Sequence, residues 1–143
     1  MEKPDKRILE FIKKHHVMTL ATCVENEPWC ANCFYSFWED EMEMVFTSDE
    51  KTKHIQDSLQ SCKIAGSVVL ETSIIGKIQG IQFTGEIFES TPEFGSKAQV
   101  NYLKRFPFAV LTNTKLWIIK LDLIKMTDNQ LGFGKKLFWE RAL

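Results

Sequence analysis

The sequence predicts an α+β fold in which six or seven antiparallel strands close into a barrel, with a few short helices inserted between them. Three observations carry this. Residues 17–48 read as three strands joined by two short polar turns. Two further β-rich stretches, 77–89 and 115–127, follow, the first interrupted by Gly80 and Gly85. Helical patterns sit between these groups, which is the α+β arrangement. Antiparallel strands in such number usually close on themselves and so remove exposed edges.

Residues 4–15 have the pattern of a short helix. Pro4 suits a first turn, and Ile8, Phe11, Ile12 and His15 recur at helical spacing. Val17–Val24 is rich in β-branched residues and reads as a strand. Glu25-Asn26-Glu27-Pro28 is a turn, Trp29–Trp38 a second, aromatic strand, Glu39-Asp40-Glu41 another turn, and Met42–Ser48 a third strand. A helix over about 50–60 places Ile55 and Leu59 on one face. Lys63–Leu70 is a fourth strand and Lys77–Glu89 a fifth, where an internal glycine marks a bulge or a close backbone approach. Thr91-Pro92-Glu93 starts a helix that stops before Pro107. Residues 115–127 supply one long strand or two, and Lys136–Glu140 a last short one.

The 143 residues form one domain in this reading, long enough to bury roughly two thirds of the unfolded surface. Hydrophobic content is 44% and formal net charge −1, with no basic face suited to a nucleic acid. No apolar run approaches the roughly 20 residues that span a bilayer, and residues 1–7 lack a signal peptide's apolar centre, so the expected location is the cytoplasm. Eleven Phe and four Trp exceed what a small core needs, which points to rings at an interface or a ligand cleft. Cys30-Ala-Asn-Cys33 has redox or zinc spacing. On a strand, however, i and i+3 point to opposite faces, so free thiols are expected.

The densest gathering of anion-binding groups is Phe46-Thr47-Ser48-Asp49-Glu50-Lys51-Thr52-Lys53-His54. A strand ends there in two hydroxyl residues and turns into a helix start with two lysines. Backbone N–H groups at a helix N-terminus, hydroxyls and cations together suit a phosphate. Lysine in a first turn opposes the helix dipole, a cost that a bound anion relieves. His54 lies beside this turn, while His15 and His16 end the first helix. No paired carboxylates at catalytic spacing, Ser/His/Asp set or P-loop stands out, which fits a cofactor carrying any reaction.

Strand, turn, aromatic strand, acidic turn, a strand ending Phe-Thr-Ser, then Lys-x-Lys on a helix: this order resembles the FMN-binding split barrel of the pyridoxamine 5′-phosphate oxidase-like superfamily. The closer resemblance is to the small bacterial YhbP-type branch, through Glu50–His54, Gly80-Ile81-Gln82-Phe83, Arg105-Phe106-Pro107 and Leu131–Lys136. The resemblance implies a homodimer with flavin clefts between subunits and an oxidoreductase activity on a small substrate. It places Thr47, Ser48 and Lys53 at the FMN phosphate, with Lys51 and Thr52 as helpers, and Asn32, Phe34 and Gln82 near the flavin ring. Two departures stand out. Ala31 occupies about the place of a phosphate-binding arginine in the oxidases, and Met126–Asn129 with Gly132-Phe133-Gly134 replaces their C-terminal Trp and Arg/His pattern. Each missing anion contact costs on the order of 1–3 kcal/mol, so weaker flavin binding is expected. The alternative is a non-enzymatic dimer, or one that holds haem through one of the three histidines.

Overall fold

The computed structural model describes residues 1–90, 92–108 and 115–143. Helix α1 (Lys6–Lys14) opens the chain. The Asp5 carboxylate accepts from the Arg7 N–H at 2.9 Å as its N-cap, and Ile8, Leu9, Phe11 and Ile12 form its buried face. Strands β1 (Val17–Val24) and β2 (Glu27–Phe34) follow as a hairpin. Its two-residue turn, Glu25-Asn26, has φ of 50° and 64°, the left-handed pair that matches the twist of two strands. Next come β3 (Ser36–Trp38), β4 (Glu43–Ser48), α2 (Lys53–Gln60), β5 (Lys63–Val69), β6 (Gln79–Glu89), α3 (Pro92–Arg105), β7 (Lys115–Asp128) and β8 (Lys136–Glu140).

All pairings are antiparallel, in the order β2-β1-β5-β6-β7-β4-β3, with β8 also on β7. The two ends of that order, β2 and β3, are neighbours in the chain, separated only by Tyr35. The sheet therefore has to curl until its edges meet, and the α+β split barrel expected from sequence is the observed fold. The aromatic segment 29–38 is two strands rather than one because Tyr35 turns inward. It is fully buried, its N–H donates to His16 O at 3.0 Å, and its hydroxyl donates to Ile12 O at 2.7 Å.

Strand β7 changes partner along its length. Lys115–Lys120 pairs with β4 and Leu123–Thr127 with β8. On the other edge β6 follows it throughout, except that Thr84 faces Leu123 while Gly85 faces Leu121, leaving Asp122 as the extra residue of a bulge. The bulge expected at Gly80 or Gly85 falls at Gly85. Arg141 sits beside it, donating to Leu121 O at 2.7 Å and to Glu41 O and Met42 O at 3.0 and 3.1 Å. These bonds tie the point where the sheet splits.

The core fills the barrel with Met18, Leu20, Tyr35, Met44, Phe46, Phe83, Trp117, Ile119 and Ile124. A smaller cluster outside it joins Val45 and Ile118 to Ala98 and Tyr102 of α3. Strand β4 is thus covered on both faces, Phe46 inward and Val45 outward, as its run of apolar residues requires. Helix α2 departs from expectation: it buries Ile55 together with His54, Asp57 and Ser58, and Leu59 is exposed. The proposed cap Thr91 lies outside the described residues. Cys33 is buried and Cys30 exposed, on opposite faces, and Cys23, Cys30, Cys33 and Cys62 are free thiols. Among the described residues no helix is long and apolar enough to cross a membrane.

Candidate functional site

Two groups of polar residues stand out, one on each side of β2. The first surrounds the start of α2. Alternation along β4 separates its last two hydroxyls: Ser48 is buried on the inner face, whereas Thr47 points outward to Tyr102, 3.2 Å between hydroxyl oxygens. Ser48 Oγ lies 2.6 Å from His54 Nε2, with Thr52 Oγ1 3.4 Å and Cys33 Sγ 4.0 Å from the same nitrogen. A serine–histidine contact is thus present that no local motif announces, because its members lie six residues apart across a turn. Burial of the Cys33 thiol raises its pKa to about 11, so it stays protonated and unreactive at neutral pH.

The helix start itself is open. Thr52 is the N-cap, but its hydroxyl donates to Asp49 O at 2.8 Å instead of capping the helix. Asp49 Oδ1 accepts from the Lys51 N–H at 2.8 Å. Among the described residues nothing accepts from the N–H groups of Lys53, His54 and Ile55. These are the unpaired donors that make a helix N-terminus an anion site. Lys51 is exposed and forms no ion pair among the described residues. Lys53 is engaged: its Nζ lies 3.2 and 3.3 Å from the two Asp57 oxygens and 5.7 Å from the centroid of the Trp29 ring. Thr22 Oγ1 donates to the same carboxylate at 2.9 Å.

His54 is 9% exposed, and burial lowers its pKa below the ordinary 6.5, with Asp57 acting in the opposite direction. The folded protein therefore favours the neutral ring. Its contribution to stability is complete above pH 6.5 and fades as the pH falls through the lowered folded value. The melting temperature is expected to drop between pH 7 and 5, and His54→Gln to flatten part of that drop. His15, whose pKa burial also lowers, carries a separate part. An unchanged slope in His54→Gln would show that His54 does not titrate in that window.

The second group lies on the outer face of the sheet. Register places Asn32 opposite Thr19, Thr19 opposite Ser67, Ser67 opposite Gln82 and Gln82 opposite Lys125, one row across five strands. Thr19 donates to Asn32 Oδ1 at 2.9 Å. Most of this row lines a groove of about 380 Å³ whose floor is Ala21, Ala65 and Gly66 and whose far wall is Leu123 and Lys125. Phe34, two residues beyond Asn32 on the same face of β2 and opposite Val17, is 59% exposed. The structure thus brings Asn32, Phe34 and Gln82 onto one face and adds Thr19, Ser67 and Lys125, which only strand register reveals. It gathers Ser48, Lys51, Thr52 and Lys53 at the other group and directs the Thr47 side chain elsewhere. Ala31 points inward with Cys33 and adds no charge to either group.

The histidines differ in surroundings. His15 caps the C-terminus of α1 and packs on Phe11, 4.2 Å between ring centroids. His16 is exposed and meets Phe106, which in turn meets Phe34.

A curled antiparallel sheet with its seam at β7 and helices at its ends defines the split-barrel class. Solved structures agree: a haem-binding protein from Mycobacterium smegmatis superposes with a TM-score of 0.73 at 14% identity, over 87% of this chain and 52% of that one. This chain spans about half the length of that protein. An FAD-binding protein from Mesorhizobium loti gives a TM-score of 0.69 at 12% identity, over 84% of this chain and 91% of that one. No family model matches the sequence. A UPF0306 protein of Photorhabdus laumondii is 39% identical over 134 residues, 94% of each chain, and UPF0306 protein YhbP of Salmonella arizonae is 41% identical over 134 residues, 94% of this chain and 91% of its own. The chain belongs to the UPF0306 family of YhbP-type proteins, and its fold is that of the split barrels.

Proposed function

We propose that the protein binds FMN as a homodimer and serves as an oxidoreductase for a small substrate. The observation that carries this is the open start of α2: three unpaired N–H groups, with Ser48, Thr52, Lys51 and Lys53 around them, in the segment where the sequence resemblance implies a flavin phosphate. In this reading Lys51 and Lys53 supply charge and the backbone supplies direction. Asn32 and Gln82 offer amides, and Phe34 a face, to the ring. A second chain over the outer face would turn the open groove into a cleft and cover Val17, Phe34 and Phe138, all more than one third exposed. The bound flavin supplies hydride transfer, and the protein supplies position and electrostatics.

Freshly purified protein is expected to show flavin absorption, or to quench added FMN fluorescence. Lys53→Ala removes a charge-assisted contact of about 1.5–3 kcal/mol, so FMN should bind at least about tenfold more weakly while riboflavin binding is unchanged. Equal losses for the two ligands would mean that Lys53 does not hold the phosphate. The second reading is a haem-binding split barrel without flavin chemistry, favoured by the exposed His16 beside Phe106 and Phe34. The same absorbance spectrum separates the two, since haem gives a Soret band and flavin does not.

A further inference from the structure

We propose that Asp57 competes with a bound phosphate for Lys53, and that this contest sets how tightly the start of α2 holds its ligand. The inference rests on reading that helix start as the phosphate site. Asp57 is a fixed anion: its side chain is 7% exposed, and Thr22, itself 3% exposed, donates to one of its oxygens. Lys53 is the movable partner, with a side chain 49% exposed that lies along the Trp29 ring. A phosphate at the three free N–H groups competes with the Asp57 carboxylate for the Lys53 ammonium. Asp57 then keeps the Thr22 bond and faces a second anion across a single helical turn.

Local helix stability does not account for the pair. Lysine preceding an acid by four residues is the weaker order, and each charge here sits at the unfavourable end of the helix dipole. The helix buries Asp57 while Leu59, two residues on, is exposed. Nor does the tie to Thr22 need a charge, since an amide oxygen also accepts from a hydroxyl. The charges also nearly cancel: Lys51 and Lys53 stand against Asp49 and Asp57, while Glu50 is occupied by Lys115 at 2.8 Å. Burial disfavours ionisation of Asp57, but the Thr22 hydroxyl and the Lys53 ammonium outweigh it and hold the carboxyl below its usual range. The helix start is therefore built as an anion site whose main cation is already spoken for, which suits a ligand that comes and goes.

Asp57→Asn keeps the acceptor for Thr22 and releases Lys53. The expected result is FMN binding tightened about tenfold, riboflavin unchanged, and the gain abolished in Lys53→Ala/Asp57→Asn. FMN affinity that is unchanged or weaker in Asp57→Asn, while Lys53→Ala still weakens native binding, overturns the role of Asp57 and leaves the FMN reading standing. A readout without flavin separates the two ideas: inorganic phosphate titrated into native and Asp57→Asn protein, followed by the amide resonances of His54 and Ile55. Tighter phosphate binding by Asp57→Asn supports the competition even if neither protein takes up FMN, which would refute the flavin reading alone. Equal midpoints, or no phosphate response in either protein, overturn the competition.

Discussion

Gly85→Ala is expected to unfold the protein or to cost it more than about 3 kcal/mol, beyond the usual overpacking penalty. A methyl group at position 85 would collide with the carbonyl oxygen of Lys120 and lie 3.0 Å from Ile119 Cγ2. The collision is with backbone, and that backbone belongs to β7, which is hydrogen-bonded along both edges at this height. The neighbour cannot yield by a rotamer change, so the two strands must separate at the bulge. Urea denaturation of the purified variant measures the loss. A midpoint within experimental error of the native one would mean that the bulge at Asp122 relaxes freely.

Arg105→Ala is expected to cost about 3 kcal/mol or more. The guanidinium ends α3 and reaches three backbone carbonyls: Tyr35 O at 3.1 Å, Lys13 O at 2.9 Å and His15 O. It also lies over the rings of Tyr35 and Phe106, 5.3 and 5.6 Å from their centroids. Hydrogen bonds from a charged donor contribute about 1.5–3 kcal/mol each, and losing them here also strands partly buried acceptors at the C-terminus of α1. Arg105→Lys should recover only part of the loss, because an ammonium cannot span the three oxygens in the plane of a fork. Thermal unfolding of native, Ala and Lys proteins checks this. Equal melting temperatures for Lys and native would show that charge alone matters.

Most of the fold was legible because its signals are local. Glu25-Asn26 and Glu39–Glu41 mark turns by their polarity, and Gly85 marks a bulge because no other residue fits the approach of Lys120. Tyr35 was not legible: the break between β2 and β3 contains no Gly, Pro or polar residue, and only the closing of the sheet makes it a corner. The exposed Leu59 was missed for a related reason. Hydropathy assigns the apolar side of α2 to the core, but the space beneath that helix is polar, formed by Thr22 of β1 and Ser48 of β4. Site residues divide in the same way. Lys51 and Lys53 show in sequence because a lysine pair at a helix start is anomalous. The row from Asn32 to Lys125 depends on the register of five strands, which no single segment encodes. The Lys53–Asp57 pair, at i and i+4, is one feature that spacing alone could have exposed.

The single-residue link at Tyr35 also dictates when the chain can finish folding. Strands β2 and β3 are made one after the other, yet they never pair with each other and lie at the two ends of the strand order. As the chain leaves the ribosome, the β1–β2 hairpin and the β3–β4 hairpin can each form at once. They remain separate until β7, some seventy residues beyond β4, supplies the strand that joins β4 to β6. The step that closes the barrel is thus the strand pairing most distant in sequence. It carries the largest loop-closure entropy and is the natural rate-limiting event of folding.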